Sequence, residues 1–200
     1  DFETGSLKQS SNIRPNRIFT ADSHIIFYRI GKLKIEKLSE VVDKMSEIKI
    51  YTDGSSRGNP GPGGFGVILM WNHHRKEISK GFRLTTNNRM ELLAVISGLQ
   101  AITKKELPVI VYSDSQYVVR AIEEGWLKKW IATDFKGGKK NRDLWTKYHQ
   151  LSRNMHVKLK WVKGHADNPF NNRCDELATA AADGKHLAVD EGYEEAQSLL

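Results

Sequence analysis

The sequence predicts an α/β domain: a mixed five-stranded sheet with helices on both faces, carrying a small strand–helix appendage at its N-terminal end. Three observations predict it. Three β-prone stretches follow one another between Ile48 and Leu84. From there helical and strand patterns alternate, giving the order β-β-β-α-β-α-α-α-β-α. Apolar residues make up 39% and charged residues 28% of 200, which suits one cored domain plus an appendage.

The first strand starts at Ile48, where Ile48, Ile50 and Thr52 alternate with Lys49, Tyr51 and Asp53. A run of Gly and Pro (Gly58, Pro60, Gly61, Pro62, Gly63, Gly64) is expected to stop it, with Asp53 at its end. Asp53-Gly54 reads equally as a plain turn between two strands. Phe65 to Met70 is the second strand, Trp71 to His74 a hairpin connection, and Ile78 to Leu84 the third strand. Thr85-Thr-Asn-Asn88 supplies helix caps. Met90, Leu93 and Ile96 share a face of the helix that follows, and Glu91 falls in its first turn. The apolar run Pro108 to Ser113 suits a strand covered on both faces and leads into Asp114. Ser115 caps a helix carrying Tyr117, Val118, Val119 and Ile122. An aromatic, basic region follows, then a helix over Leu144 to Leu151 and an alternating strand over His156 to Val162. A Gly/Asn/Pro loop leads to a last helix from about Arg173 to Ala182, whose first turn contains Asp175.

Residues 1–47 differ in character. Turns and a strand are expected within Ile13 to Ile30 and an amphipathic helix over Leu33 to Met45. One strand and one helix bury no core alone, so this appendage must dock, pair with another chain or stay mobile. The expected organisation is therefore an appendage at 1–47, a domain at 48–183 and a mobile acidic tail at 184–200.

The net charge of +7 is unevenly spread. Residues 126–163 carry eleven Lys/Arg against two acids, whereas 183–200 carry five acids against one Lys. The concentrated basic stretch points to a polyanionic partner. A single cysteine, Cys174, excludes an internal disulfide and suits a reducing cytoplasm. No apolar run approaches the length of a membrane span, so no membrane partner is expected.

Asp53 and Asp114 follow strands, and Glu91 and Asp175 lie near helix starts. In an α/β sheet such positions converge on one crevice. Clustered carboxylates need a hard cation, and all-oxygen ligands favour Mg²⁺ or Mn²⁺. Two ions about 4 Å apart activate water and stabilise the leaving oxygen of a phosphodiester. Spacing alone does not select these four from the 24 acids of the chain.

Six motifs do select them: Tyr-Thr-Asp53-Gly-Ser, Gly-Asn59-Pro-Gly-Pro-Gly-Gly, Thr-Thr-Asn-Asn-Arg-Met-Glu91-Leu, Tyr-Ser-Asp114-Ser-Gln-Tyr, Trp-Val-Lys-Gly-His165-Ala and Asn-Arg-Cys-Asp175-Glu-Leu-Ala. Together, in this order from Ile48 to Ala182, they resemble bacterial type 1 ribonuclease H. The resemblance implies a ribonuclease H-like fold and an enzyme that hydrolyses the RNA strand of RNA–DNA hybrids, leaving 5′-phosphate and 3′-hydroxyl ends. It assigns Asp53, Glu91, Asp114 and Asp175 to a two-metal site using Mg²⁺, with Mn²⁺ as substitute. Glu91 would also face a ribose 2′-hydroxyl, the group that marks RNA. His165 would assist proton movement or product departure. Asn59, Asn88 and Gln116 match minor-groove contacts, and Thr86 and Asn141 a pocket for a DNA-strand phosphate. Backbone N–H groups near Ser56 and Arg57 would approach the RNA. Trp126, Lys128, Lys129, Trp130, Phe135, Lys136, Lys139 and Lys140 match the family's basic protrusion, where lysines meet phosphates without reading sequence. Trp126 and Trp130 at helical spacing also suit packing against the domain, the reading favoured for Trp126. The resemblance implies a monomer whose partner is the RNA–DNA hybrid.

Departures from the pattern are specific. Phe135 stands where a Trp is expected, and the stretch before Asn141 is about four residues shorter than in the longest protrusions. Both bear on hybrid affinity rather than chemistry. Asp167 and Asn172 replace an expected Gly and Glu, and the Asp167 charge is expected to raise the His165 pKa. Cys174 reads as a buried packing thiol.

The stretch from Asp1 to Leu33, with the helix after it, is similar to the C-terminal end of the PemK/MazF-like toxin family of ribosome-independent mRNA endonucleases. It covers about the last third of such a toxin, without the upstream catalytic residues, and no activity is carried over. Two alternatives to a hybrid-cleaving enzyme thus remain: a non-catalytic hybrid-binding module, against which the four acids argue, and a toxin-type mRNA endonuclease.

Overall fold

A computed structural model describes residues 2–4, 32–33, 47–164 and 168–198. The chain divides into two compact units, Asp1–Ser46 and Glu47–Leu200. In the first, β1 (Phe2–Thr4) pairs antiparallel with β2 (Lys32–Leu33). Leu33 is thus strand, not the first residue of a helix. The strand expected within Ile13–Ile30, and the rest of the helix expected up to Met45, lie outside the described residues.

The second unit runs β3 (Ile48–Ser56), β4 (Gly61–Trp71), β5 (His74–Thr85), α1 (Asn87–Gln100), β6 (Pro108–Ser113), α2 (Gln116–Glu123), α3 (Trp126–Ala132), α4 (Arg142–Ser152), β7 (His156–Trp161), α5 (Pro169–Ala182) and α6 (Glu191–Ser198). Its sheet has the order β5-β4-β3-β6-β7. The first three strands form an antiparallel meander, and β6 and β7 join in parallel. This is the mixed five-stranded sheet expected, and the elements follow the expected order through α5.

Period-two alternation sorts β3 between two layers. Ile48 and Ile50 enter the main core with Val67, Met90, Ile96, Val109, Val111 and Trp145, whereas Tyr51 turns to the other face with Ile68 and Cys174. On that second face Tyr51 stacks on Tyr112 at 4.8 Å and meets Phe170 of α5. Only one side of β6 is fully covered: Val109 and Val111 are buried, while Ile110 and Tyr112 are half-buried.

Several boundaries differ from expectation for local reasons. β3 does not stop at Asp53; Gly54, Ser55 and Ser56 continue the ladder against Phe65, Gly64 and Gly63. Asp53-Gly54 is therefore not a turn. Ser115 caps α2 as expected, accepting from the Val118 N–H at 3.4 Å. Thr86 occupies the cap position of α1 without a side-chain bond, and Asn59 Oδ1 accepts from Asn87 N–H instead at 3.2 Å. The last long helix starts at Pro169 rather than near Arg173. Asn168 Oδ1 accepts from the N–H groups of Phe170 (3.1 Å) and Asn171 (3.2 Å), and Pro169 sits where its missing N–H costs nothing. Asp175, like Glu91, consequently lies in the second turn of its helix, not the first.

The acidic C-terminal stretch is docked over the described residues 184–198, which corrects there the expectation of a mobile tail at 184–200. Ala188 exchanges backbone hydrogen bonds with Gly81 and Arg83 of β5, both at 2.9 Å. Asp190 is 4% exposed and accepts from Thr85 Oγ1 (2.6 Å) and from Arg89 Nε and Nη2, each at 2.7 Å. Arg89 also forms a fork with Asp143 at 2.9 and 2.7 Å. Arg89 is a buried cation, and Asp190 of the tail with Asp143 of α4 supplies the charge it needs. Among the described residues no helix is long and apolar enough to cross a membrane.

Candidate active site

Strand register brings the first two acids together. β3 and β6 run parallel, and their last paired residues are Thr52 and Ser113. Asp53 and Asp114 come next on each strand, so they lie side by side just beyond that pair. Glu91 arrives from α1 because Gly54 has no side chain: a methyl there would overlap the backbone nitrogen of Glu91. Ligand oxygens of Asp53, Glu91 and Asp114 lie within 4.8 Å of one another. Asp175 comes from α5, which packs onto β4 at Gly66, where a methyl would overlap the carbonyl of Cys174. Asp175 is not in the tight group of three, but its charge reaches Asp53.

The electrostatics describe acids in need of a counter-charge. Asp53 is pushed up to about 8, first by burial, then by Asp114 and Asp175; the Gly54 N–H, donating to Asp53 Oδ1 at 2.7 Å, opposes the rise. Burial raises Glu91 well above the usual carboxylate range, with Asp53 and Asp114 adding to it. Asn87 Nδ2 donates to Glu91 Oε1 at 3.3 Å. Glu91 Oε2 and Asp114 Oδ1 are buried without a hydrogen-bond partner. Orphaned acceptors among like charges fit a divalent cation, and the oxygen-only donor set fits a hard one.

Six of the expected substrate contacts line one cleft of about 870 Å³, Asn59, Thr86, Asn88, Lys139, Lys140 and Asn141, together with Tyr193 and Gln197 of α6. Gln116, Trp126, Lys128, Lys129, Trp130, Phe135 and Lys136 lie outside it. Gln116 and the lysines are exposed. Trp126 is half-buried under Arg120, as its packing reading requires, and Trp130 meets Trp145 edge-on at 5.6 Å. Phe135 packs against the core in a left-handed backbone conformation, with Arg142 over its ring. Cys174 is fully buried, its Sγ 3.2 Å from the Tyr51 carbonyl oxygen, and burial pushes its thiol up to about 12. His165 and Asp167 lie outside the described residues, and with them the expected pKa shift.

Two features went unread in the sequence. Arg89 stands inside the quoted Asn-Asn-Arg-Met-Glu motif, yet nothing local showed it to be a buried cation clamped by Asp143 and Asp190. Asn171 is buried and donates to Asp114 Oδ2 at 3.4 Å. In sequence, an amide in a stretch that reads as an Asn-rich loop carries no periodic signal that would have singled it out.

The chain matches the family model described as RNase H over residues 45–183. It is 54% identical over 150 residues to the ribonuclease H of Desulforamulus reducens, covering 73% of this chain and 94% of that one. The ribonuclease H of Syntrophus aciditrophicus is 48% identical over 155 residues, covering 76% and 89%. Among solved structures, LC9-RNase H1, a type 1 RNase H with the type 2 active-site motif, superposes with a TM-score of 0.64 at 31% identity over 76% of this chain and 81% of that one. LC11-RNase H1 in complex with RNA/DNA hybrid superposes with a TM-score of 0.53 at 27% identity, covering 68% and 96%. From the residues of the site to the order of the sheet, the chain belongs to the ribonuclease H family.

Proposed function

We propose that this chain hydrolyses the RNA strand of RNA–DNA hybrids at the carboxylate cluster, leaving 5′-phosphate and 3′-hydroxyl ends. The observation that carries the reading is the convergence of Asp53, Glu91 and Asp114, with ligand oxygens within 4.8 Å of one another and two of their oxygens buried and unpartnered. With Asp175 they would hold two divalent ions, Mg²⁺ with Mn²⁺ as substitute. Bound there, such ions supply a water of lowered pKa and stabilise charge on the phosphodiester.

The chain's own groups do the rest. Asn87 donates to Glu91 Oε1, and Oε2, without a protein partner, is left for the site, where the carboxylate can accept from a ribose 2′-hydroxyl. Thr86 and Asn141, across one cleft, hold a DNA-strand phosphate, and Asn59, Asn88 and Gln116 hydrogen-bond bases and sugars. Lysines 128, 129, 136, 139 and 140 neutralise backbone phosphates, so recognition follows duplex shape rather than sequence. His165 assists departure of the product.

The test is cleavage of a labelled RNA–DNA duplex beside single-stranded RNA, in Mg²⁺ or in EDTA. Metal-dependent cleavage confined to the hybrid is expected. Hybrid binding without cleavage would make the chain a binding module. Cleavage of free RNA in EDTA would instead point to toxin-type chemistry.

A further inference from the structure

Asn171 lies in the first turn of α5 and is 1% exposed. The Asn168 cap fixes its backbone by accepting from its N–H at 3.2 Å. Its Nδ2–H group donates to Asp114 Oδ2 at 3.4 Å, and its own Oδ1 is buried without a partner. It shares that condition with two carboxylate oxygens, Asp114 Oδ1 and Glu91 Oε2. Three orphaned acceptors at one buried site is a costly arrangement, and an apolar side chain at 171 would only exchange one orphan for another by leaving Asp114 Oδ2 without its donor. The amide orientation follows from chemistry, since a flip would set its oxygen against the carboxylate.

Two further contacts of Asp114 are seen among the described residues. Trp161 Nε1–H donates to its carbonyl oxygen at 3.0 Å, fixing the main chain. Gly164 abuts the carboxylate so closely that a methyl there would overlap Oδ2. Among the described residues, Asn171 is the one side-chain donor to the carboxylate. Without it Asp114 can turn about its side-chain bonds and withdraw Oδ1 from the cluster.

We infer that Asn171 is a positioning residue for Asp114: Nδ2–H pins Oδ2 so that Oδ1 faces the carboxylate cluster, and the amide Oδ1, which has no protein partner, would accept from water when the site holds a cation. This rests on the metal-dependent reading above. A carboxylate at this position would keep the acceptor, lose the donor and add one more negative charge to a crowded site. The amide is the side chain that serves both neighbours.

The test uses the full chain with Asn171→Ala and the near-isosteric Asn171→Asp, the latter covering any failure of the alanine variant to fold. Mn²⁺ affinity is measured without nucleic acid, by water-proton relaxation, and kcat and KM are measured on the hybrid. Groups that orient metal ligands typically contribute about 10–100-fold to affinity or activity. Asn171→Ala is therefore expected to weaken Mn²⁺ binding about tenfold and lower kcat by about 10–100-fold at unchanged KM. Asn171→Asp should lower kcat comparably even though its added charge holds Mn²⁺ at least as tightly as wild type does. Wild-type kcat in Asn171→Asp, or wild-type Mn²⁺ affinity and kcat in Asn171→Ala, would overturn the role. A raised KM at unchanged kcat would overturn it too, making Asn171 a nucleic-acid contact. Wild type run alongside separates the two readings: if it cleaved hybrid in EDTA, the metal reading itself would fall. If it needed metal and the variants matched it, only the assignment of Asn171 would.

Discussion

Asp53→Asn should make the fold more stable at neutral pH while no divalent metal is bound. Asp53 is 6% exposed, and its carboxyl is pushed up to about 8 by burial, then by the charges of Asp114 and Asp175. The folded chain therefore holds the proton more tightly than the unfolded chain, whose value is near 3.9. Any stability from that proton is fully present below the unfolded pKa and is lost as pH rises through about 8. At pH 7 the loss spans about three pH units at about 1.36 kcal/mol each, a ceiling of about 4 kcal/mol. Asp114 and Glu91 share the repulsion with Asp53, so a gain of about 1–3 kcal/mol is the working figure. Asparagine keeps the shape, and its Oδ1 can still accept from the Gly54 N–H. The assay is urea unfolding in EDTA at pH 4, 7 and 9. The variant should match wild type near pH 4 and exceed it at pH 7 and 9, and Mg²⁺ should narrow the gap. Equal stability at every pH, or a less stable variant, would refute the reasoning.

Other consequences follow from the same geometry. Asp190→Ala strips the buried Arg89 of the better-buried of its two partners and should cost about 3–5 kcal/mol in urea unfolding, far more than loss of a free tail would. Replacing Lys139 and Lys140 by Ala should weaken hybrid binding and reduce the salt slope of the affinity by about 2, read by fluorescence anisotropy across salt concentrations. Cys174, with its thiol pushed up to about 12, should resist iodoacetamide at pH 8 in the native protein and react on unfolding.

Much of the fold was legible because it rests on local pattern. Ile48 and Ile50 face the main core as their alternation requires, although β3 is covered on both faces, with Tyr51 buried on the other, rather than half-buried. The carboxylates were legible only through motif, because their convergence is tertiary: it depends on Thr52 pairing with Ser113 and on α1 lying directly against Gly54. Asn168-Pro169 misled because the residues that cap a helix are also those that make loops. The tail misled because Asp190 finds Arg89 at a sequence separation of 101 residues, where charge pattern carries no information about partners. Asn171 was missed for a related reason: its meaning lies in one bond to Asp114 across 57 residues.

The most direct test of the central claim is single-turnover cleavage of a labelled RNA–DNA duplex in Mg²⁺ by wild type and Asp53→Asn, with hybrid binding of both measured in EDTA. The account predicts a loss of at least about a thousandfold in rate, some 4 kcal/mol of transition-state stabilisation, with hybrid binding retained. Turnover by Asp53→Asn near the wild-type rate would contradict it, because a buried carboxylate of the cluster would then have no part in the chemistry.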